Sequence, residues 1–255
     1  MDVLVCIKRV PEIAGSVTLT EDAMSVDALH VGYTLSPHEE CAVELAIRTA
    51  KATDGEATVL SLGSEDAVQQ LRDALAVGCT GAVLIEGDAD RYGPADVATA
   101  IAEVVRAHEA QGRSYGLVLL GNDAADTGDF QVGIRLAYAL DRPVLTGASM
   151  LEVTEDRVTT RAEGPEGTEV SEAPLPAVVT VVEGGVEPRY PSVPGRMKAK
   201  RVQVETVVPS RDPLGSGRVR LKLPPAPATE VELLGKGAEA APAVVDLLVR
   251  LGVVR

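Results

Sequence analysis

The 255-residue chain is predicted to adopt an α/β fold, in which helices flank an open and mostly parallel β-sheet. Short runs of β-branched residues alternate with longer stretches of helical periodicity up to about residue 145. Apolar residues make up 45% of the chain, but aromatic residues only 2%. The core must therefore be built from aliphatic side chains, which is typical of parallel strands covered on both faces by Ala-rich helices.

The strand–helix alternation begins near the N-terminus. Val3–Ile7 is an apolar run of strand length. Ser36, Pro37 and Glu39 have the chemistry of a helix start, with Ser as the N-cap, and predict a helix to about Ala52. The same reasoning predicts strands at residues 57–62, 81–85, 115–120 and from 143, and helices at 64–77, 94–108 and about 129–140.

The pattern changes after residue 148. Short alternating segments at 150–154, 157–162 and 168–173 predict a small antiparallel β meander, and the run at 175–182 predicts another buried strand. Residues 208–228 are rich in Pro, so we expect an extended arm, followed by an amphipathic helix at 238–251. We expect an α/β domain at 1–207 and a C-terminal arm at 208–255 that packs on another subunit. The alternative is that the arm folds back on its own domain.

A basic segment, Glu187–Arg201 (EPRYPSVPGRMKAKR), stands out because the chain as a whole has a net charge of −14. Its prolines fix φ and restrict the shapes of the loop that contains it, at about residues 181–203. A stiff basic loop on an acidic protein predicts a docking element for a partner. The alternative is an ordinary turn with solvated cations.

Composition excludes several classes of function. A pI of about 4.7 disfavours binding to nucleic acid, since the overall field repels phosphates. Cys6, Cys41 and Cys79 lack the spacing of a disulfide framework or zinc site and are predicted to be small buried hydrophobes. The three histidines lack metal-ligand spacing, and we expect no bond chemistry by side chains. The N-terminus opens into a strand and no apolar run is long enough to cross a bilayer, so we expect a cytoplasmic protein without membrane insertion.

The loop after the strand predicted at 115–120 is the best candidate for a nucleotide site. In a doubly wound sheet, ligands lie beyond the carboxyl ends of the strands, beside a change in strand order. The loop, Gly121–Gly133 (GNDAADTGDFQVG), contains three glycines that allow close approach of the backbone to a ligand. Thr127, Gly128 and Asp129 are predicted to begin a helix whose free N–H groups could hold a phosphate. The Asp side chains of this loop would oppose a phosphate unless they point away.

Several motifs occur in the order found in the β subunits of electron-transfer flavoproteins. They are IKRVP at 7–11, AVELAIRTAK at 42–51, LRDALAVGCTGAV at 71–83, GLVLLGNDAADTGDFQVG at 116–133 and PAVVTVVEGGVEPRYPSVPGRMKAKR at 176–201. The ordered set covers most of the chain, which therefore resembles this family. The resemblance implies the adenine nucleotide α-hydrolase-like form of the predicted sheet.

The resemblance also implies two nucleotides. AMP would be buried in this subunit, whereas the redox-active FAD would be held mainly by an α subunit, with the loop near Ile13 covering one side of it. Carried over by position, the adenosine contacts would come from Cys6, Ser36, Pro37, His38, Glu39 and Leu62. The phosphate would lie against Gly121, Asn122, Asp123, Ala124, Ala125, Asp126, Thr127, Gly128, Asp129, Phe130, Gln131 and Val132.

The basic segment would then be the loop that docks acyl-CoA dehydrogenases, with Val193 as its apolar anchor. The chain would be an electron carrier without its own bond chemistry. As a heterodimer with the α subunit, it would take electrons from acyl-CoA and other flavin dehydrogenases and pass them to electron-transfer flavoprotein–quinone oxidoreductase. Two alternatives stay open: an electron-bifurcating version with FAD in the nucleotide site, and a stand-alone nucleotide-sensing protein. The docking residues would be Arg189, Tyr190, Val193, Arg196, Met197, Lys198 and Lys200.

Overall fold

A computed structural model describes residues 1–12, 17–27, 29, 31–225 and 232–254. Ile13 lies outside these residues. The helices are α1 (Pro37–Ala52), α2 (Val68–Val77), α3 (Pro94–Ala110), α4 (Val132–Leu140), α5 (Val193–Ala199) and α6 (Ala241–Arg250). The strands are β1 (Val3–Ile7), β2 (Val10–Glu12), β3 (Gly32–Thr34), β4 (Ala57–Gly63), β5 (Gly81–Glu86), β6 (Leu117–Gly121), β7 (Val144–Ala148), β8 (Met150–Val153), β9 (Arg157–Gly164), β10 (Gly167–Pro174), β11 (Ala177–Val181) and β12 (Val204–Val207).

The main sheet has seven strands in the order β12-β5-β4-β1-β6-β11-β7, and all its pairings are parallel. The chain starts at β1, moves outward through β4 and β5, and then returns to β6 on the other side of β1. The direction of winding therefore reverses between β1 and β6. This confirms the predicted doubly wound architecture and places a crevice at the carboxyl ends of these two strands.

The two faces of the sheet carry separate cores. Val3, Val5 and Ile7 of β1 pack among residues of α1 and α2, whereas Leu4 and Cys6 face the side covered by α3 and α4. All five β1 residues are buried, as the continuous apolar run predicts for a strand covered on both faces. The predicted meander is also confirmed, since β8, β9 and β10 form a three-stranded antiparallel sheet.

Some elements were not predicted. β2 and β3 form a short antiparallel pair, and β12 extends the main sheet beside β5. A 3₁₀ turn at Glu65–Ala67 precedes α2, so the single helix predicted from Ser64 starts later in its α-helical form. The basic segment was predicted as a loop without regular structure, but it contains α5.

The chain divides into a large unit, Met1–Leu221, and a small unit, Lys222–Arg255. The sequence predicts that the arm begins at residue 208, and the structure groups residues 208–221 with the large unit. Asp96 at the start of α3 accepts hydrogen bonds from the N–H groups of Leu214 (3.0 Å) and Gly215 (2.8 Å), which hold this stretch on the large unit. Among the described residues, no helix combines the length and apolar character that crossing a membrane requires.

Candidate functional site

A cavity of about 650 Å³ opens at the carboxyl ends of β1, β4, β5 and β6. It is lined by the last residues of these strands and by the loops that follow them. Ser216, Arg218 and Leu221, from the stretch that follows β12, also contribute to the lining. The cavity therefore lies where the reversal of winding between β1 and β6 predicts a ligand site.

Glu39 connects α1 to the end of β1. Its Oε2 accepts hydrogen bonds from the Ser36 N–H (3.0 Å) and hydroxyl (2.9 Å), which completes the predicted capping box. Its Oε1 accepts from the N–H of Lys8 at 2.6 Å. Burial raises the pKa of Glu39 to about 7, although the hydrogen bonds from Ser36 and Lys8 oppose the shift. The cavity thus contains a carboxyl group that titrates near neutrality.

Cys6 and Gly121 line the cavity together with Glu39. Burial raises the pKa of the Cys6 thiol far above its usual range, and the charge of Glu39 adds to the shift, so this thiol stays protonated. A Cβ on Gly121 would lie 2.9 Å from Cγ of Glu39. Gly121 is therefore required by the close approach of β6 to α1.

Asn122 attaches the loop after β6 to the neighbouring strands. Its N–H donates to Val181 O (2.8 Å), and its Oδ1 accepts from the Thr180 hydroxyl (2.6 Å) and the Gly147 N–H (3.1 Å). These bonds use the backbone and side chain of Asn122 to connect β6, β7 and β11. Asn122 lines the cavity while it holds the base of the loop in place.

The predicted helix start at residues 127–129 is wrong. The N–H groups of Thr127 (3.1 Å) and Gly128 (2.7 Å) both donate to Ala124 O, which closes a turn within the loop, and α4 begins at Val132. Gly128 has φ +67°, and a Cβ on it would meet no atom within 4 Å. Glycine is therefore favoured at position 128 because the turn requires this left-handed φ.

Two carboxylates of this loop have side-chain partners elsewhere in the chain. Lys8 Nζ lies 2.7 Å from Asp126 Oδ1, and His38 Nε2 lies 3.0 Å from Asp123 Oδ1. The Nδ1 of His38 accepts from the Glu183 N–H at 2.9 Å, so its Nε2 carries the proton donated to Asp123. The carboxylates of Asp126 and Asp123 are therefore directed at Lys8 and His38.

The cavity brings together eleven of the residues predicted to bind a nucleotide. Seven others lie outside its lining, although Ser36 and His38 contact lining residues directly. The lining contains Cys6, Glu39, Leu62, Gly121, Asn122, Asp123, Ala124, Asp126, Thr127, Asp129 and Val132. Outside the lining are Ser36, Pro37, His38, Ala125, Gly128, Phe130 and Gln131.

Sequence reasoning missed the cations of the cavity. Lys8, Arg9 and Arg218 line it. The Arg9 guanidinium lies 3.4 Å from the centroid of the Tyr33 ring, and Arg218 Nη1 donates to Met24 O at 3.4 Å. The IKRVP motif contains Lys8 and Arg9 at the end of a strand that borders the switch point, and this position was a signal that could have identified them.

Arg189 and Arg72 hold the two ends of the basic segment. Arg189 donates to buried Glu44 through Nε (2.6 Å) and Nη2 (2.8 Å). Arg72 of α2 donates through Nη1 to Ala199 O and Val202 O at the other end. Arg189 was predicted as a docking residue, and its guanidinium is paired with Glu44 within the same chain.

The remaining docking candidates are exposed. Ser192 caps α5 by accepting from the Gly195 N–H at 3.1 Å, and Val193 and Met197 lie four residues apart on this helix. Tyr190 is 91% exposed, Val193 76% and Met197 54%. Arg196, Lys198 and Lys200 are exposed around them. The segment therefore presents a small apolar surface surrounded by positive charge.

The described residues contain no group of His, Cys, Asp and Glu arranged to hold a metal ion. His108 is buried, with Nδ1 2.9 Å from the Tyr115 hydroxyl and Nε2 3.0 Å from Glu205 Oε1. Cys6, Cys41 and Cys79 are free and buried, as predicted.

Comparison with known proteins identifies the family. A family model, the electron transfer flavoprotein domain, matches residues 24–212. The chain is 33% identical to "Electron transfer flavoprotein subunit beta" of Bacillus subtilis, over 97% of each chain, and 32% identical to that of Syntrophomonas wolfei, over 91% of this chain and 90% of the relative. The human protein of the same name is 34% identical over 81% of each chain. The chain therefore belongs to the family of electron transfer flavoprotein β subunits.

Proposed function

We propose that this chain is the AMP-binding subunit of a heterodimeric electron carrier whose FAD is held mainly by the α subunit. Membership of the family means a role in flavin-linked electron transfer and an α-subunit partner. The carrier accepts electrons from acyl-CoA and other flavin dehydrogenases and passes them to a quinone oxidoreductase. The chain contributes binding and docking surfaces, and no bond chemistry of its own.

The cavity at the switch point is the observation that supports the proposed AMP site. Its volume of about 650 Å³ lies within the range of small-molecule sites, roughly 300–1,000 Å³. It combines apolar walls from Leu60, Leu62, Val97 and Ile101 with polar groups at the strand ends, which suits a base and a phosphorylated sugar.

The basic segment supports the docking role. Val193 and Met197 are exposed on a helix that Arg72 fixes to the large unit, so little conformational freedom is lost on docking. The surrounding cations favour an acidic partner surface and raise the rate of encounter.

Ligand analysis of the purified heterodimer tests the nucleotide proposal. The chain is co-expressed with its α subunit, and nucleotides are released by denaturation, identified by mass spectrometry and quantified against flavin absorbance. One FAD and one AMP per heterodimer is the expected result. Two flavins would establish the electron-bifurcating alternative. A chain that is stable and nucleotide-bound without an α subunit would establish the stand-alone nucleotide-sensing alternative.

A further inference from the structure

We propose that Asp126 competes with the nucleotide phosphate for the ammonium group of Lys8, so that breaking the Lys8–Asp126 ion pair accompanies AMP binding. This inference rests on the proposed AMP site and concerns its preference between a nucleotide and an uncharged nucleoside. The pair joins the end of β1 to the loop after β6, with Nζ 2.7 Å from Oδ1. Both residues line the cavity.

The charges of the cavity make Lys8 the natural partner of a phosphate. Among the described lining residues, acidic side chains outnumber the three cations Lys8, Arg9 and Arg218. Arg9 lies over Tyr33 and 4.0 Å from Asp66, and Arg218 donates to a backbone carbonyl. Of the three, Lys8 is the one directly adjacent to the last residue of β1, at the crevice between β1 and β6.

The backbone of Lys8 is held in place, whereas its ammonium group can move. The N–H of Lys8 donates to Glu39 Oε1 at 2.6 Å, which anchors the residue. Its side chain is 34% exposed, so the ion pair with Asp126 is accessible to solvent and weak. A phosphate monoester carries nearly two negative charges at neutral pH and is the stronger partner. The pair can therefore open for a phosphate without disturbing the strand.

Asp123 does not take part in this competition. Its carboxylate accepts from His38, whose other ring nitrogen is held by the Glu183 N–H. Of the two loop carboxylates with side-chain partners, Asp126 is thus the one whose partner is Lys8. In the paired state its negative charge also repels an incoming phosphate, since both would lie within a few ångströms of the same ammonium group.

Titration calorimetry of nucleotide-free heterodimer with AMP and with adenosine tests the inference. Asp126→Asn is expected to raise the affinity for AMP about five-fold and to leave the affinity for adenosine within about two-fold. In a Lys8→Gln background, which itself weakens AMP binding, the same substitution should lose most of its effect. Asp141→Asn, in the turn after α4 and outside the cavity lining, makes the same change in net charge and should leave both affinities unchanged.

The outcomes separate this inference from the function on which it rests. An equal gain from Asp126→Asn with and without Lys8 would overturn it, because the effect would then be general repulsion. Tight AMP binding that Asp126→Asn leaves unaltered would also overturn it while the AMP site stands. If the parent heterodimer binds neither AMP nor adenosine, the proposed AMP site fails and the inference fails with it. Flavin content and circular dichroism verify that each variant is folded.

Discussion

The guanidinium of Arg189 makes a two-point contact with the carboxylate of Glu44, with Nε 2.6 Å from Oε2 and Nη2 2.8 Å from Oε1. Burial alone would raise the pKa of Glu44, but the hydrogen bonds and charges of Arg189 and Arg48 hold it below its usual range. A residue of the basic segment is thus an internal anchor that attaches the segment to α1.

Arg189→Gln is therefore expected to destabilise the protein by about 1–3 kcal/mol, because it removes two hydrogen bonds to a buried carboxylate. Denaturant unfolding measures the change. Arg48→Gln is the matched control, since Arg48 also contacts Glu44 but through a single side-chain hydrogen bond, from Nε to Oε1, and its loss should cost less. Equal effects of the two substitutions would contradict the anchoring role.

The pH dependence of stability should report on Glu39. Because its pKa is raised in the folded state, the folded protein keeps a proton that the unfolded chain releases. The contribution of Glu39 to the free energy of unfolding is thus fully present below pH 4.5. It is lost as the pH rises towards 7, which lowers the free energy of unfolding by roughly 3 kcal/mol. Glu39→Gln should remove this loss, so the stability difference between parent and variant changes across that window. Parallel curves from pH 5 to 8 would show that Glu39 titrates normally.

Val193→Ala is expected to slow electron acceptance from an acyl-CoA dehydrogenase while leaving flavin content and heterodimer assembly unchanged. Loss of two methyl groups that docking would bury should cost about 1–2 kcal/mol, or roughly ten-fold in docking affinity. Steady-state transfer at limiting carrier concentration measures it. Val208→Ala, at another exposed valine outside the basic segment, is the control and should transfer normally.

Charge reversal in the basic segment should slow electron transfer in a salt-dependent way, unlike Val193→Ala. Lys198→Glu is expected to lower the rate of encounter with a dehydrogenase at low salt, and added salt should mask the effect. The test is the same transfer assay at several ionic strengths. A defect that persists at high salt would indicate that Lys198 makes a close contact and does not act through long-range attraction.

The small unit should be needed for assembly with the α subunit. None of the residues of α6 is buried; Val244, Val245 and Val249 are exposed on it, and so is Leu251 at its C-cap. Deleting residues 222–255 should leave the large unit and its cavity intact but prevent heterodimer formation on size-exclusion chromatography. Deleting 208–255 should in addition destabilise the large unit, since it removes the bonds from Leu214 and Gly215 to Asp96. Normal assembly of the 222–255 deletion would reject this role.

Local signals in the sequence predicted most of the fold. Val3–Ile7 and the capping residues Ser36 and Glu39 determine their elements through neighbours close in sequence, so β1 and α1 were predictable. Helix α5 has a comparable Ser-Val-Pro start at Ser192, but it is only seven residues long and buries only Ala199, so helical periodicity gave no signal.

The site was predicted less completely, because its contacts join residues far apart in sequence. Lys8 and Asp126 are separated by 118 positions, and Arg189 and Glu44 by 145. No pattern in a single sequence determines which distant charges will pair. The glycine-containing loop was placed correctly at the switch point. Its internal turn through Ala124 O was not foreseen, since the spacing of Thr127 and Gly128 fits a helix start equally well.

The attachment of the basic segment at both ends has a practical consequence for exchanging partner specificity between relatives. One contact is made by Glu44 on α1 and the other by Arg72 on α2, so neither belongs to the segment itself. A graft of residues 187–201 alone would leave its orientation undefined in a recipient that lacks these two side chains. Glu44 and Arg72 must therefore be transferred with the segment for it to keep its shape.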